Sequence, residues 1–311
     1  MTRGLSLVQL TFLGTSAAQP TATRNVSGLA FKADSDLYLF DCGEGSQRQM
    51  IRFGTGLKIR AIFFTHFHAD HYLGVIGLLR TLAMLGREEP MQLYGPVPGR
   101  DLLTRAIHLG IEKLGFPVQV VEIPDGHALR HGPYEIRAVK TDHGLDSRAY
   151  VFQEDSRAGA FDVDRAVALG VTPGPDFGRL QAGEPVGLSG GVIVRPEQVL
   201  GPPRPGRRIV ISGDTRPCDA TVTAAQDADL LVHEATFSDA EQERALETRH
   251  STSREAGRIA QRARARRLVL THLSSRFEQD TDGLLDEARA EYPGPVEIAF
   301  DGQVIEVPLR K

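Results

Sequence analysis

Cysteine is scarce: Cys42 and Cys218 are the only two in 311 residues. Two thiols so far apart build neither the disulfide framework of a small secreted domain nor a thiolate zinc finger, so any metal must be held by His and carboxylates. Long apolar runs are missing as well, and nothing reaches the ~18 residues that a membrane-spanning helix needs. The stretch Met1 to Leu13 has one basic residue, no long apolar core and no small-residue cleavage site, so it does not read as a secretory signal. A cytoplasmic protein with no membrane attachment is expected. Nor is one sign of charge in large excess: 36 Lys+Arg against 40 Asp+Glu give a net charge of −4, so any contact with a polyanion must come from a local basic patch. Apolar and charged fractions of 41% and 24% exclude a disordered or fibrous chain.

What is present is an alternation of short β and α segments. Leu5 to Phe12, Val26 to Phe31 and Leu37 to Phe40 read as strands separated by turns. Ile59 to Thr65 is a further strand that stops at a histidine cluster, and Leu73 to Leu85 has the composition of a helix. Gln92 to Tyr94 (strand), Asp101 to Leu114 (helix) and Val118 to Ile123 (strand) repeat the logic. Strands Tyr134 to Thr141 and Ala149 to Gln153 bracket His143. From about Asp162 to Pro205, Gly and Pro become frequent and clear periods few, the mark of an inserted arm. After it, strands at Arg208 to Ser212, Leu230 to His233 and Leu268 to Leu270 alternate with helices at Asp219 to Gln226 and Thr252 to Ala265. Such alternation indicates a layered α/β architecture whose two halves could be loosely duplicated, with no solenoid repeat.

The chemistry concentrates in His66-Phe67-His68-Ala69-Asp70-His71, three imidazoles and a carboxylate delivered by a strand to a loop. His143, Asp214 and His272 stand at other strand ends. Seven N and O ligands are too many for one tetrahedral zinc but suit two metals sharing a carboxylate, for which Asp214 is the natural bridge. A loop of solvated histidines is the bland alternative for any single one of them, though not for the whole set.

The H-x-H-x-D-H run resembles the signature of the metallo-β-lactamase superfamily, which implies a four-layer αββα sandwich. Leu13-Gly14-Thr15-Ser16, Arg24-Asn25-Val26, Phe40 to Gly45, Pro173-Gly174-Pro175, His233-Glu234-Ala235-Thr236-Phe237 and His250-Ser251-Thr252 narrow the resemblance to ribonuclease Z, the tRNA 3′-processing endonuclease, over nearly the whole chain. That resemblance implies a single domain, 1–311, with a flexible Gly/Pro-rich exosite arm at 154–205. It implies two Zn2+ per subunit, with Mn2+ as the alternative: one ion on His66, His68 and His143, the other on Asp70, His71 and His272, bridged by Asp214. It further implies cleavage of a 3′ trailer from precursor tRNA by two-metal activation of water, leaving a tRNA 3′-hydroxyl. Asp70 is the expected general base, and Glu234 orients His250 as the expected proton donor; the role of His233 is left open. Asp41 reads as support for the metal loop.

A homodimer is implied, each arm serving the other subunit's site. Arg24, Arg48 and Arg52, with Arg179 among the arm's Arg157, Arg165, Arg179 and Arg195, are candidate RNA contacts because guanidinium pairs with phosphate bidentately. One position departs from the family: Ala22 in Pro20-Thr21-Ala22-Thr23-Arg24-Asn25 stands where a basic residue is usual, which bears on the cleavage position and on discrimination against a CCA end. Two other readings compete. A small-molecule hydrolase of the same fold is opposed by the arm and the His-Glu-Ala-Thr motif. A structural zinc in a protein that only binds RNA is opposed by the absence of thiolates.

Overall fold

A computed structural model describes residues 5–109 and 113–310. Period-two burial builds its sheets. Between positions 36 and 42, Tyr38 and Phe40 enter a core lying between two sheets, whereas Leu37 and Leu39 face a second core packed with helices.

The first half contributes β1 (Val8–Gly14), β2 (Gly28–Ala33), β3 (Asp36–Cys42), β4 (Ile59–Phe63), β5 (Met91–Gly95) and β6 (Val118–Glu122), with helices α1 (Ser46–Phe53), α2 (Ala69–Tyr72), α3 (Gly74–Met84) and α4 (Gly99–Ile107). The second half contributes β7 (Ala128–His131), β8 (Tyr134–Lys140), β9 (Arg148–Glu154), a separate ribbon of β10 (Val186–Gly187) and β11 (Ile193–Val194), and then β12 (Arg208–Ile211), β13 (Leu230–Glu234), β14 (Leu268–Thr271), β15 (Val296–Ile298) and β16 (Val304–Glu306). Its helices are α5 (Val163–Ala168), α6 (Pro175–Gln181), α7 (Asp219–Ala224), α8 (Gln242–Thr248), α9 (Ser253–Ala263) and α10 (Asp282–Glu291).

The sheets run β16-β1-β2-β3-β4-β5-β6 and β15-β14-β13-β12-β9-β8-β7. Read from β16 in the first sheet and from β7 in the second, three antiparallel pairings are followed by three parallel ones, so the two halves share one pairing pattern. Phe12, Phe31, Phe63, Tyr150, Phe152 and Val232 fill the space between the sheets. Leu78, Leu79 and Leu82 of α3 cover the outside of the first sheet, and Ala256, Ile259 and Ala260 of α9 the outside of the second. The result is the expected αββα sandwich. Helix α9 starts where its sequence says it should: Thr252 accepts from the Glu255 N–H and Glu255 returns a bond to the Thr252 N–H.

Several elements differ from the sequence reading. The Asp101 to Leu114 helix ends at Ile107, and its positions 110–112 lie outside the described residues. Helix α1 escaped notice because its eight residues are mostly polar. The arm has regular structure: α5, α6 and the β10–β11 ribbon surround a small core of Ala166, Val171, Leu180, Val186, Val194 and Val199. Elements of two to seven residues are too short to leave a period.

Two glycines bring the site together. A Cβ on Gly43, just after β3, would sit 2.2 Å from the Asp70 carbonyl oxygen; one on Gly74, at the start of α3, would sit 2.0 Å from that of Gly43. The β3 exit and the histidine loop can therefore touch backbone to backbone only without side chains there.

Candidate active site

The parallel strands of both sheets end at one place, and their C-terminal loops carry the polar residues, as is usual for ligand sites in α/β sheets. Strand β4 leads into His66, His68, Asp70 and His71; β12 leads to Asp214, β13 ends in Glu234, and β14 is followed by His272. His143 comes from the loop between β8 and β9.

All seven candidate ligands converge. Donor atoms of His66, His68, His143 and Asp214 lie within 4.8 Å of one another, as do those of Asp70, His71 and His272. Asp214 Oδ2 is 3.4 Å from both His71 Nε2 and His272 Nε2 and 3.5 Å from His66 Nε2, which puts this one oxygen between the two groups. A third combination, Asp214, His250 and His272, meets the same distance criterion, so His250 too stands where a cation could reach it.

The outer nitrogens of these rings are held by the protein. His71 Nδ1 is 2.8 Å from Asp41 Oδ2, His143 Nδ1 2.8 Å from the Arg249 carbonyl, and His272 Nδ1 2.9 Å from Thr236 Oγ1. Donation from the outer nitrogen leaves the lone pair on the inner one. The inner nitrogens then confront each other: His66 Nε2 and His68 Nδ1 at 2.9 Å, His68 Nδ1 and His143 Nε2 at 3.2 Å, His71 Nε2 and His272 Nε2 at 3.2 Å. Lone pairs facing one another beside a buried carboxylate are reconciled by cations, and the all-N/O donor set suits a divalent metal of catalytic type.

The carboxylates and imidazoles also set one another's charge. Burial, reinforced by neighbouring imidazoles, lowers the pKa of His66 and His68 and keeps them neutral. Burial opposes a charge on His71, but Asp214 and Asp41 outweigh it and raise its pKa. Asp70 and Asp214, despite burial, are held well below the usual carboxylate range by His71 and His272. Asp70 Oδ2 also accepts the Ala18 N–H at 2.8 Å.

Glu234 and His250 meet beside this cluster, with His250 Nδ1 3.0 Å from Glu234 Oε1. Burial works against charge on His250, yet Glu234 raises its pKa to about 9. Its Nε2 has no protein partner among the described residues. Thr236 carries no assigned role in the His-Glu-Ala-Thr motif as read from sequence, but its hydroxyl touches Glu234, His250 and His272. Arg216 was missed too: it binds the His250 carbonyl at 2.5 Å and pairs with Glu255, and no motif announces it. His233 is fully buried, with Nδ1 2.7 Å from the Glu234 carbonyl and Nε2 without a hydrogen-bond partner among the described residues.

None of the candidate RNA-binding arginines bonds a residue of the cluster. Arg24 Nη1 is spent on Thr15 and the Ala299 carbonyl, which anchors the Pro20 to Asn25 loop. Arg48 and Arg52 are exposed on α1, and Arg179 on α6 pairs at 3.5 Å with both Asp176 and Glu184. Ala22 is exposed, and the next residue, Thr23, is fastened to Glu278. None of these arginines lines the cavity of about 360 Å³ beside the cluster; Arg244 and Arg276 do.

Four-layer architecture and a buried His/Asp cluster at the strand ends define a metallohydrolase of the metallo-β-lactamase fold. Two family models match the chain, "Anti-Pycsar protein Apyc1" over residues 8–158 and "Beta-lactamase superfamily domain" over residues 156–273. Ribonuclease Z of Myxococcus xanthus is 64% identical over 98% of this chain and 100% of its own, and ribonuclease Z of Haloferax volcanii 49% identical over 97% and 95%. The crystal structure of the short form of human tRNase Z superposes with a TM-score of 0.69 at 29% identity, covering 97% of this chain and 100% of that one. The metallo-β-lactamase fold protein YhfI of Bacillus subtilis, at 22% identity and a TM-score of 0.70 over 97% and 100%, shares the fold. The chain belongs to the ribonuclease Z family and is an endoribonuclease, a metal-binding phosphodiesterase. No helix among the described residues is long and apolar enough to cross a membrane.

Proposed function

We propose that this enzyme removes the 3′ trailer from precursor tRNA and leaves a 3′-hydroxyl, using two zinc ions. The observation that carries the proposal is the meeting of two ligand sets around Asp214 with the Glu234–His250 pair beside them, at a cavity lined by Asp70, Asp214, His250 and His272. His66, His68 and His143 would hold one ion, Asp70, His71 and His272 the other, and Asp214 both. When bound, the ions supply Lewis-acid stabilisation of charge on the phosphate and make water more acidic.

The protein's own groups handle the protons. Asp70, held ionised between His71 and His272, receives the proton of the attacking water. His250 delivers a proton from Nε2 to the departing ribose 3′ oxygen as its bond to phosphorus breaks, and Glu234 neutralises the imidazolium beforehand. His71 and His272 are kept in orientation by Asp41 and Thr236 throughout.

The 154–205 segment would act as the exosite arm within a single domain, with Arg179 on its α6 helix, while Arg24, Arg48 and Arg52 remain candidate contacts nearer the N-terminal loops. A homodimer in the cytoplasm, each arm serving its neighbour's site, completes the reading. Incubating metal-quantified protein with a precursor tRNA carrying a 3′ trailer tests it: endonucleolytic release of the trailer with a 3′-hydroxyl on the tRNA is expected. Hydrolysis of a chromogenic phosphodiester with the precursor left intact would overturn it in favour of a small-molecule phosphodiesterase.

A further inference from the structure

The cavity beside the metal cluster continues beyond it. Its lining passes from Asp70, Asp214 and His272 through His250 to Phe237 and Arg244, with Arg276 also on its wall. Apart from the two cluster aspartates, no carboxylate borders this space among the described residues. Glu241, Glu243 and Glu247 border a second concavity on the far side of Arg244 and Thr248, which line both, and none of the three carboxylates pairs with Arg244.

The two arginines differ in what they already hold. Arg276 is bound to Glu241 at 2.6 Å. Arg244 is exposed and has no carboxylate partner among the described residues. Its guanidinium lies over the Phe237 ring, 5.8 Å from the centroid, and that ring is 6.0 Å from the His250 imidazole. Stacking on an aromatic face holds a guanidinium in place while leaving its N–H groups unspent. Arg249, the next arginine along, is paired with Asp142 at 2.9 Å.

An oriented, unpaired guanidinium on the wall of a phosphodiesterase cavity fits one phosphate group. The arrangement also says which one. His250 stands at the ribose 3′ oxygen of the nucleotide that is retained, so the wall beyond it faces that nucleotide, and the next anion along the strand is that nucleotide's own 5′ phosphate. We infer that Arg244 binds the phosphate immediately 5′ to the nucleotide that receives the new 3′-hydroxyl, an inference that rests on the cavity's being one that cleaves precursor tRNA. Contacts to backbone phosphate set register without reading sequence. Arg244 thereby governs which linkage lies over the metal cluster.

The test is a two-by-two cycle under single-turnover conditions, with the parental enzyme and Arg244→Ala against a trailer-bearing precursor tRNA and the same RNA with a neutral methylphosphonate at that linkage. Arg244→Ala should lower kcat/KM on the all-phosphate RNA about tenfold, as expected for loss of a charge-assisted contact. The methylphosphonate should cost the parental enzyme a similar factor, and the two changes together no more than either alone. Arg244→Lys should recover part of the loss, and in Arg244→Ala the slope of log affinity against log salt should fall by about 0.7. Parental kcat/KM in Arg244→Ala, or losses that multiply, would overturn the assignment while leaving the tRNA-processing reading intact. An all-phosphate RNA left uncut by the parental enzyme would instead remove that reading, and the assignment with it.

Discussion

Asp41→Asn isolates the part that the protein, rather than the metal, plays in the site. Asp41 Oδ1 accepts the Thr65 N–H at 2.7 Å, while Oδ2 accepts from the Thr65 hydroxyl and from His71 Nδ1, both at 2.8 Å. Asparagine has the same shape, tolerates the left-handed φ of 58° found here, and keeps the first bond. Its amide NH2 would replace Oδ2. The threonine hydroxyl can rotate to accept from that group, but the imidazole cannot remain an Nδ1–H donor against another donor. The proton must move to Nε2, the nitrogen that faces His272 and Asp214. A hydrogen bond to a charged group is worth about 1.5–3 kcal/mol, which agrees with the roughly 10–100-fold loss of metal affinity typical when such a supporting partner is removed. Competition with a chelator should show that loss for the ion assigned to Asp70, His71 and His272, with the metal-free protein still folded by circular dichroism. An affinity within twofold of the parental value would refute the argument that Asp41 sets the His71 tautomer.

Other consequences follow from the same geometry. Asp214→Ala should release both ions together and His272→Ala chiefly one; equal metal content in the two variants would contradict the bridging position of Asp214. Because Glu234 raises the pKa of His250 to about 9, the protonated donor should be lost as pH rises through that region, and Glu234→Gln should move the alkaline limb of the kcat profile to lower pH. Arg207→Met should destabilise the fold by about 3–5 kcal/mol in urea titration, since it leaves Glu154 buried without the partner that sits 2.7 Å away. Gly74→Ala should lower both Tm and metal content, because its Cβ would meet the Gly43 carbonyl and push the histidine loop away from β3; an unchanged metal content would show that the contact does not position that loop.

Much of the site could be read from residue types alone. A run such as His66 to His71 is local, its ligand chemistry is intrinsic to imidazole and carboxylate, and a strand running into it places it on a loop. Strands such as β3 and β12 were legible because one-sided or two-sided burial selects apolar side chains at period two or in short runs. The sequence alone also pointed to His143, Asp214 and His272, since each lies in a short polar stretch at the end of a strand, in Thr-Asp-His-Gly, Ser-Gly-Asp-Thr and Thr-His-Leu-Ser.

What only the tertiary structure decided is everything that depends on distance between remote segments. Nothing local in Thr236 says that its hydroxyl will join Glu234 to His272, nor in Arg216 that it will hold the His250 backbone. Arg24 resembles a free phosphate ligand in sequence, yet packing spends one of its nitrogens, Nη1, on Thr15 and Ala299; Arg244 resembles an ordinary helix-surface cation, yet it lines the cavity. Elements α1, α5 and α6 stayed hidden because short helices are stabilised by the surfaces they pack against more than by their own periodicity. A sequence encodes the chemical kind of each group. Which groups become neighbours is settled by the packing of the two sheets against each other, a property of the whole chain.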